Sequence, residues 1–265
     1  MMGRTHALTG WASATLTLPL LGVTDPRLVL VAGMTAAGAT LLPDVDSPSS
    51  TMTQALGPIT RLLSRLMRWL SKRMWVATAT SYDREDPRGD VGHRHLTHTV
   101  PACVAAGVVA WGTVVGVAAV LTAPSWGLNA ELGSAVAAGL VCGAVSVPAA
   151  RYLMEAVPAI SRREAARVAP VVGVVVALCG AWAHLDPVWV GVVVGAGALV
   201  GVAGDWLTPH GVPLFWPVAY RGKRWWMHRC RWTFATGADS REEALVRWTS
   251  IGLGVTSWVV MVPGW

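Results

Sequence analysis

Residues 99–122 read TVPACVAAGVVAWGTVVGVAAVLT and contain no charged side chain. About 20 apolar residues in a helix are enough to cross the roughly 30 Å of hydrocarbon in a lipid bilayer. This stretch is therefore long and apolar enough for a transmembrane helix, and it sets the class of fold for the rest of the chain.

The composition of the whole chain agrees with this class. Of the 265 residues, 53% are hydrophobic and only 14% are charged, whereas about a quarter are charged in soluble domains. Seven apolar stretches are long enough, or nearly so, for a span: residues 7–23, 28–43, 99–122, 130–149, 168–184, 187–206 and 245–262. The sequence predicts an all-α, polytopic transmembrane helix bundle of five to seven spans, about seven being expected, in a single membrane domain over residues 1–265.

The basic residues predict the orientation of this bundle. A cytoplasmic N-terminus makes residues 1–6, 44–98, 150–167 and 207–244 the inside segments. Every one of the 21 Lys and Arg residues except Arg27 then lies in them or at the start of the last span. Such asymmetry is typical of cytoplasmic loops. The net charge of +6 is thereby explained by topology, and we expect no nucleic-acid partner.

Two inside segments have the composition of membrane-surface elements. In residues 59–75, Leu62, Leu66 and Leu70 recur at helical spacing among Arg and Lys residues, which predicts an interfacial amphipathic helix. Residues 215–234 mix Trp with Arg and Lys, a composition that suits anionic lipid. Membrane lipids are the expected partners, including an anionic lipid or phosphoester substrate. Simple anchoring of these segments explains the same pattern.

Potential metal ligands fall on the same predicted side of the membrane. They lie at the cytoplasmic ends of four of the predicted spans or just beyond them: His6, Asp44, Asp46, His93, His98, Asp205 and His210. Random placement over the spans and both surfaces would not gather them in this way. The sequence therefore predicts one cluster of imidazole and carboxylate groups at the cytoplasmic surface.

This set of side chains suits a divalent transition metal. Neutral imidazole with carboxylate is typical of Zn²⁺, with Mn²⁺ and Fe²⁺ as alternatives. An aspartate at the end of an apolar helix is costly unless it is paired or metal-bound, although Asp44 or Asp205 alone would also suit an interfacial cap. We expect Asp46 to accept a proton, Arg94 to clamp an anionic group and Thr97 to support the site.

The same motifs, in this order, resemble the YdjM-like family of bacterial inner-membrane proteins, which are described as metal-dependent hydrolases. The matching elements are His6, LLPDVDSP at 41–48, HRHLTHT at 93–99 and DWLTPHGVPLFWP at 205–217. The resemblance implies metal-site residues supported by Arg94 and Thr97: His6, Asp44, Asp46, His93, His98 and Asp205. The family pattern often has a His one helical turn before the final Asp, where this sequence has Gly201.

Three functions are compatible with these observations. The leading hypothesis is a metal-dependent hydrolase that cleaves an ester or phosphoester bond of an amphiphilic substrate at the cytoplasmic membrane surface. A metal-stapled scaffold without turnover is the first alternative. A metal-ion or solute transporter is the second, although transporters place ionisable residues near the bilayer midplane and the midspan positions here are apolar. The substrate, the number of ions and the oligomeric state stay open.

Overall fold

The computed structural model of the protein describes residues 2–84, 94–155, 157, 159–237 and 240–261. Over these residues the regular elements are ten α-helices and two 3₁₀ turns. The helices are α1 (Gly3–Leu20), α2 (Pro26–Ala39), α3 (Thr51–Gln54), α4 (Pro58–Thr78), α5 (Ser81–Arg84), α6 (Val100–Leu121), α7 (Ala130–Glu155), α8 (Arg162–Trp182), α9 (Pro187–Trp206) and α10 (Arg241–Met261). The first 3₁₀ turn is Pro43–Asp46 and the second is Leu96–His98.

Five segments are long and apolar enough to cross a membrane, as judged over the described residues. They are Pro26–Asp46, Val100–Leu121, Ala130–Glu155, Arg162–Trp182 and Pro187–Trp206. The prediction of an all-α polytopic bundle is confirmed. The number of candidate spans, five, is the lower limit of the predicted range. The other two predicted spans do form helices, α1 and α10, which pack against each other but are less apolar. Which side of the membrane each end faces stays a prediction.

Local sequence fixes where the spanning helices begin. Asp25 caps α2 by accepting the N–H of Arg27 at 2.8 Å, and Asp186 caps α9 by accepting the N–H of Val188 at 2.7 Å. A proline follows each Asp at the first helical position, where its fixed φ is favourable. Thr99 caps α6 in the same way. The start of α6 directly follows the second 3₁₀ turn, so His98 lies at the end of a span.

Small residues let α2 lie in the middle of the bundle, against α1, α7 and α9. A Cβ added at Gly38 of α2 would collide with the carbonyl of Val145 in α7. A Cβ added at Gly197 of α9 would lie 2.7 Å from that of Ala39. Close backbone approach of this kind is typical of helices packed in a membrane. It brings the C-terminal ends of α2 and α9 together.

Helix α4 and the segment after α9 cover this end of the bundle. Helix α4 packs on both 3₁₀ turns. Its range, Pro58–Thr78, includes the predicted interfacial segment 59–75, so the prediction of a helix there is confirmed. The buried carboxylate of Asp83 accepts the N–H of Trp225 at 3.0 Å and that of Thr80 at 2.8 Å. The indole of Trp225 donates to Thr78 at 3.0 Å. These bonds join the end of α4 to the Trp-rich segment, which is irregular rather than helical.

Candidate metal centre

Three of the predicted ligands meet at the end of the bundle. The ligand atoms of Asp44, His98 and Asp205 all lie within 4.8 Å of one another. His98 Nε2 is 3.2 Å from Asp205 Oδ2 and 3.8 Å from Asp44 Oδ1. The side chains of His98 and Asp205 are buried, whereas that of Asp44 is 20% exposed. A solvent-accessible carboxylate at the edge of a buried pair leaves the group open on one side.

The separations of these atoms fit a metal ion. Four ligands in a tetrahedron at about 2.0–2.1 Å from zinc lie roughly 3.4 Å from one another. The distances from His98 Nε2 to the two carboxylates, 3.2 and 3.8 Å, are on either side of this value. One imidazole and two carboxylates also match the ligand types of Zn²⁺, Mn²⁺ and Fe²⁺ sites. The group could therefore hold a divalent ion.

His6 supports Asp205 from another helix. It is buried in the first turns of α1, and its Nε2 lies 3.4 Å from Asp205 Oδ1. His98 contacts the other oxygen of the same carboxylate, so Asp205 bridges two imidazoles. His6 Nδ1 has no hydrogen-bond partner among the described residues. The predicted contribution of α1 to the site is thus present in the structure as a contact to Asp205.

A hydrogen-bonded chain behind His98 fixes its orientation. Thr97 Oγ1 donates to Asp46 Oδ2 at 2.7 Å and lies 3.0 Å from His98 Nδ1. Because the single hydroxyl proton goes to the carboxylate, the Thr97 oxygen accepts the Nδ1–H of His98. Nε2 then faces Asp44 and Asp205, an arrangement that a cation between them stabilises. Through Thr97, Asp46 thus orients the imidazole from its Nδ1 side. Carboxylates outside the ligand shell of metal sites orient ligating histidines in the same way.

Arg94 ties the remaining parts of the site together. Its guanidinium donates to Asp205 Oδ1 at 3.0 Å and to Thr208 Oγ1 at 2.9 Å, and its backbone N–H donates to Asp46 Oδ2 at 3.3 Å. The residue has a φ of 70°, which is uncommon outside glycine and persists where surrounding contacts hold it. The predicted anion clamp therefore contacts a carboxylate of the protein itself.

The other predicted residues lie elsewhere. His93 is outside the described residues. His210 is exposed on the turn after α9, and no contact with the three-residue group is seen among the described residues. Thr208 was not predicted, although it donates to the backbone carbonyl of Asp205 at 2.7 Å and accepts from Arg94. A Thr three residues after an Asp at a helix end is the signal that points to it.

Comparison with protein families decides what kind of protein carries this site. The family model of the YdjM inner membrane protein matches residues 1–146, more than half of the chain. The chain belongs to the YdjM inner membrane protein family. This places it in the inner membrane and agrees with its multiple spans. No curated protein and no solved structure matches the chain.

The YdjM match covers only part of the site. It includes His6, Asp44 and His98 but ends before Asp205. Asp205 reaches the group because α9 packs beside α2 and α6. The three-residue group in this YdjM member therefore depends on tertiary packing between the matched part of the chain and the part that follows it.

The structure also explains why this YdjM member has Gly rather than His at position 201. A Cβ added at Gly201 would collide with the carbonyl oxygen of Thr40, and the Thr40 Cα would be 3.1 Å away. The C-terminal end of α2 thus occupies the space that a side chain would need. A His at this position is incompatible with the observed contact between α2 and α9.

The Thr97 hydroxyl gives the first prediction. We expect Thr97→Val, which keeps the shape and removes the hydroxyl, to weaken metal affinity about 10- to 100-fold, the range found when outer-shell partners are lost. Thr97→Ser should stay close to wild type because it keeps the bond to Asp46. Competition with a fluorescent chelator measures both affinities. Unchanged affinity in Thr97→Val would contradict the orienting role.

Proposed function

We propose that this protein is a metal-dependent hydrolase that cleaves an ester or phosphoester bond of an amphiphilic substrate. The reaction takes place at the membrane surface that the basic residues predict to be cytoplasmic. The observation that carries the proposal is the group of Asp44, His98 and Asp205, which is buried on one side and accessible at Asp44. A site for a structural ion has no need of an accessible edge.

Asp44, His98 and Asp205 are the residues that hold the ion in this proposal. The chemistry that such an ion supplies when bound is Lewis-acid activation of water and of an ester oxygen. The residues around it hold the site in one arrangement: Thr97 and Asp46 orient His98, while His6 and Arg94 hold Asp205. A preorganised, buried polar site of this kind suits catalysis because little rearrangement is needed during the reaction.

The surroundings of the site favour an amphiphilic substrate. Helix α4 covers both 3₁₀ turns and exposes apolar side chains, among them Ile59, Leu62 and Leu66. Exposed apolar side chains on a basic helix are typical of a helix that lies in the membrane interface. Lipid-like molecules in the same leaflet would then approach the accessible edge at Asp44 without leaving the membrane. Membrane lipids are accordingly the proposed partners.

Hydrolysis of chromogenic esters and phosphodiesters by detergent-purified protein tests the proposal. We expect product release with added Zn²⁺ or Mn²⁺, and a fall to background in Asp44→Asn. Asp186→Asn is the matched control, because it makes the same change at the start of α9, the end opposite to Asp205, and Asn caps a helix as well as Asp does. Lack of turnover on both substrate classes, with either metal present, would contradict the proposed hydrolase.

A metal-stapled scaffold is the second candidate. The observation that favours it is the ion pair between Arg94 and Asp205, which joins the loop before α6 to the end of α9 without any need for turnover. Under this alternative, Asp44→Asn lowers metal content and thermal stability while no hydrolytic activity is present in the wild type. Measurement of metal content beside activity separates the two candidates.

A further inference from the structure

Helix α4 has an unusual distribution of side chains. The face that points away from the protein exposes apolar side chains, among them Ile59, Leu62 and Leu66, between exposed Arg and Lys residues. The buried face is polar and contains Thr60, Ser64 and Ser71. A helix on the core of a soluble protein has the opposite arrangement. We call the buried and half-buried positions at helical spacing on this side the inner stripe of α4: Thr60, Ser64, Arg68, Ser71, Trp75 and Thr78.

Two contacts place the middle of the inner stripe beside the candidate metal centre. Met67 packs against the cluster that contains Val45, in the first 3₁₀ turn. Ser71 Oγ accepts the N–H of Leu96, in the second 3₁₀ turn, at 3.4 Å. Arg68 follows Met67 and precedes Ser71 by about one turn, so it is on the part of α4 that packs against these two 3₁₀ turns.

Three buried donors of the inner stripe have no hydrogen-bond partner among the described residues. They are Ser64 Oγ, Arg68 Nε and Trp75 Nε1. Ser64 is only 1% exposed. A buried polar atom without a partner is costly, by roughly 1–3 kcal/mol for each group, and a helix on the outside of the bundle could avoid this with apolar side chains.

The rest of the inner stripe is satisfied. Thr60 donates to the carbonyl of Thr53 at 2.8 Å, and Thr78 accepts from Trp225. The unpaired donors are thus not a general feature of this surface. Arg and Trp side chains donate and do not accept, so their missing partner is an acceptor. Ser64 and Arg68 are one helical turn apart, about 6 Å along the axis, a distance that one anionic group can bridge.

We propose that Ser64 and Arg68 bind the phosphate group of an amphiphilic, anionic ligand, with Trp75 extending the row of donors towards the Trp-rich segment. The inference rests on the proposed function in one respect: it identifies the headgroup of the hydrolase substrate as a phosphate. Arg and phosphate form strong, charge-assisted hydrogen bonds. Exposed apolar side chains of α4, such as Leu62 and Leu66, would lie in the same lipid as the ligand's acyl part.

Binding rather than turnover tests this inference. Native mass spectrometry and isothermal titration of the detergent-purified full chain would use short-chain phosphatidylglycerol, short-chain phosphatidylcholine and inorganic phosphate as probes. We expect phosphatidylglycerol to bind, and Arg68→Gln to weaken it about tenfold or more, the size of one lost charged hydrogen bond. Arg65→Gln, which removes the same charge from an exposed position on the same helix, should change the affinity less than about twofold.

Ser64→Ala distinguishes ligand binding from a structural role. Because its hydroxyl has no described partner, its removal should leave the melting temperature of the ligand-free protein unchanged while it weakens phosphatidylglycerol binding. Equal losses in Arg68→Gln and Arg65→Gln would overturn the inference in favour of general surface charge. So would wild-type binding in Arg68→Gln. Binding of inorganic phosphate as tight as that of the lipid would show that the source is free phosphate rather than a headgroup.

Failure of this inference differs from failure of the proposed function. If the wild type hydrolyses a substrate and Arg68→Gln binds phosphatidylglycerol normally, the proposed hydrolase stands and the phosphate site is contradicted. If the wild type shows no turnover but its binding of phosphatidylglycerol depends on Arg68, the phosphate site stands and the proposed hydrolase is contradicted.

Discussion

Detergent-purified wild-type protein is expected to contain a stoichiometric divalent transition metal, and both Asp205→Asn and His98→Ala are expected to contain almost none. His98 Nε2 lies 3.2 Å from Asp205 Oδ2, so these two side chains supply neighbouring ligands. Loss of either leaves two ligands in place of three, which is too few to hold the ion through purification. Elemental analysis by plasma mass spectrometry measures the content directly.

His210→Ala is the control for this experiment. Sequence reasoning places His210 among the ligands, but the residue is exposed, so the variant should retain the metal of the wild type. A thermal melt of each variant shows whether loss of metal reflects unfolding. Metal-free wild-type protein, or full occupancy in both Asp205→Asn and His98→Ala, would contradict the assignment of the centre.

Gly201→His and Gly201→Ala are expected to destabilise the protein rather than to add a ligand. An added Cβ would meet the carbonyl oxygen of Thr40, and a backbone atom cannot move aside as a side chain can. Forced separation of packed elements typically costs about 1–3 kcal/mol. We expect the melting temperature in detergent to fall by several degrees for Ala and further for His. Metal content should not rise.

Gly112→Ala is the matched control, because it makes the same change in helix α6. A Cβ at Gly112 meets no heavy atom within 4 Å, and Ala favours a helix by about 1 kcal/mol relative to Gly. Its melting temperature should equal or exceed that of the wild type. A Gly201→His variant as stable as the wild type, with increased metal content, would contradict the close contact of α2 and α9.

Sequence reasoning predicted the fold to a large extent, for a clear physical reason. Backbone polar groups in a bilayer have to be satisfied within the protein, and a helix does this within a single segment, so a long apolar stretch such as 99–122 favours a spanning helix. A helix over residues 59–75 was predicted from its 3.6-residue period, and α4 is observed there as Pro58–Thr78. The number of spans was predicted less closely: α1 and α10 are helices, but they are not among the five candidate spans because they are less apolar.

The candidate site was predicted in part. Asp44, His98 and Asp205 were identified because they lie at span ends on one predicted side, and topology alone brings such ends to one surface. The pattern did not separate them from His210, which lies on that surface as well but points into solvent. Nor did it distinguish the role of Asp46, which contacts Thr97 and the back of His98 and acquires that position from the geometry of two 3₁₀ turns.

By itself, then, the sequence determined the helical membrane class, the positions of the apolar stretches and the set of side chains available to bind a metal. These follow from length, hydropathy and residue type, which are local properties. The tertiary structure alone decided which of those side chains meet, why residue 201 has no room for a His and which face of α4 carries unpaired donors. These depend on distances of a few ångströms between residues that are far apart in the sequence, such as Thr40 and Gly201, and such distances are set by helix packing.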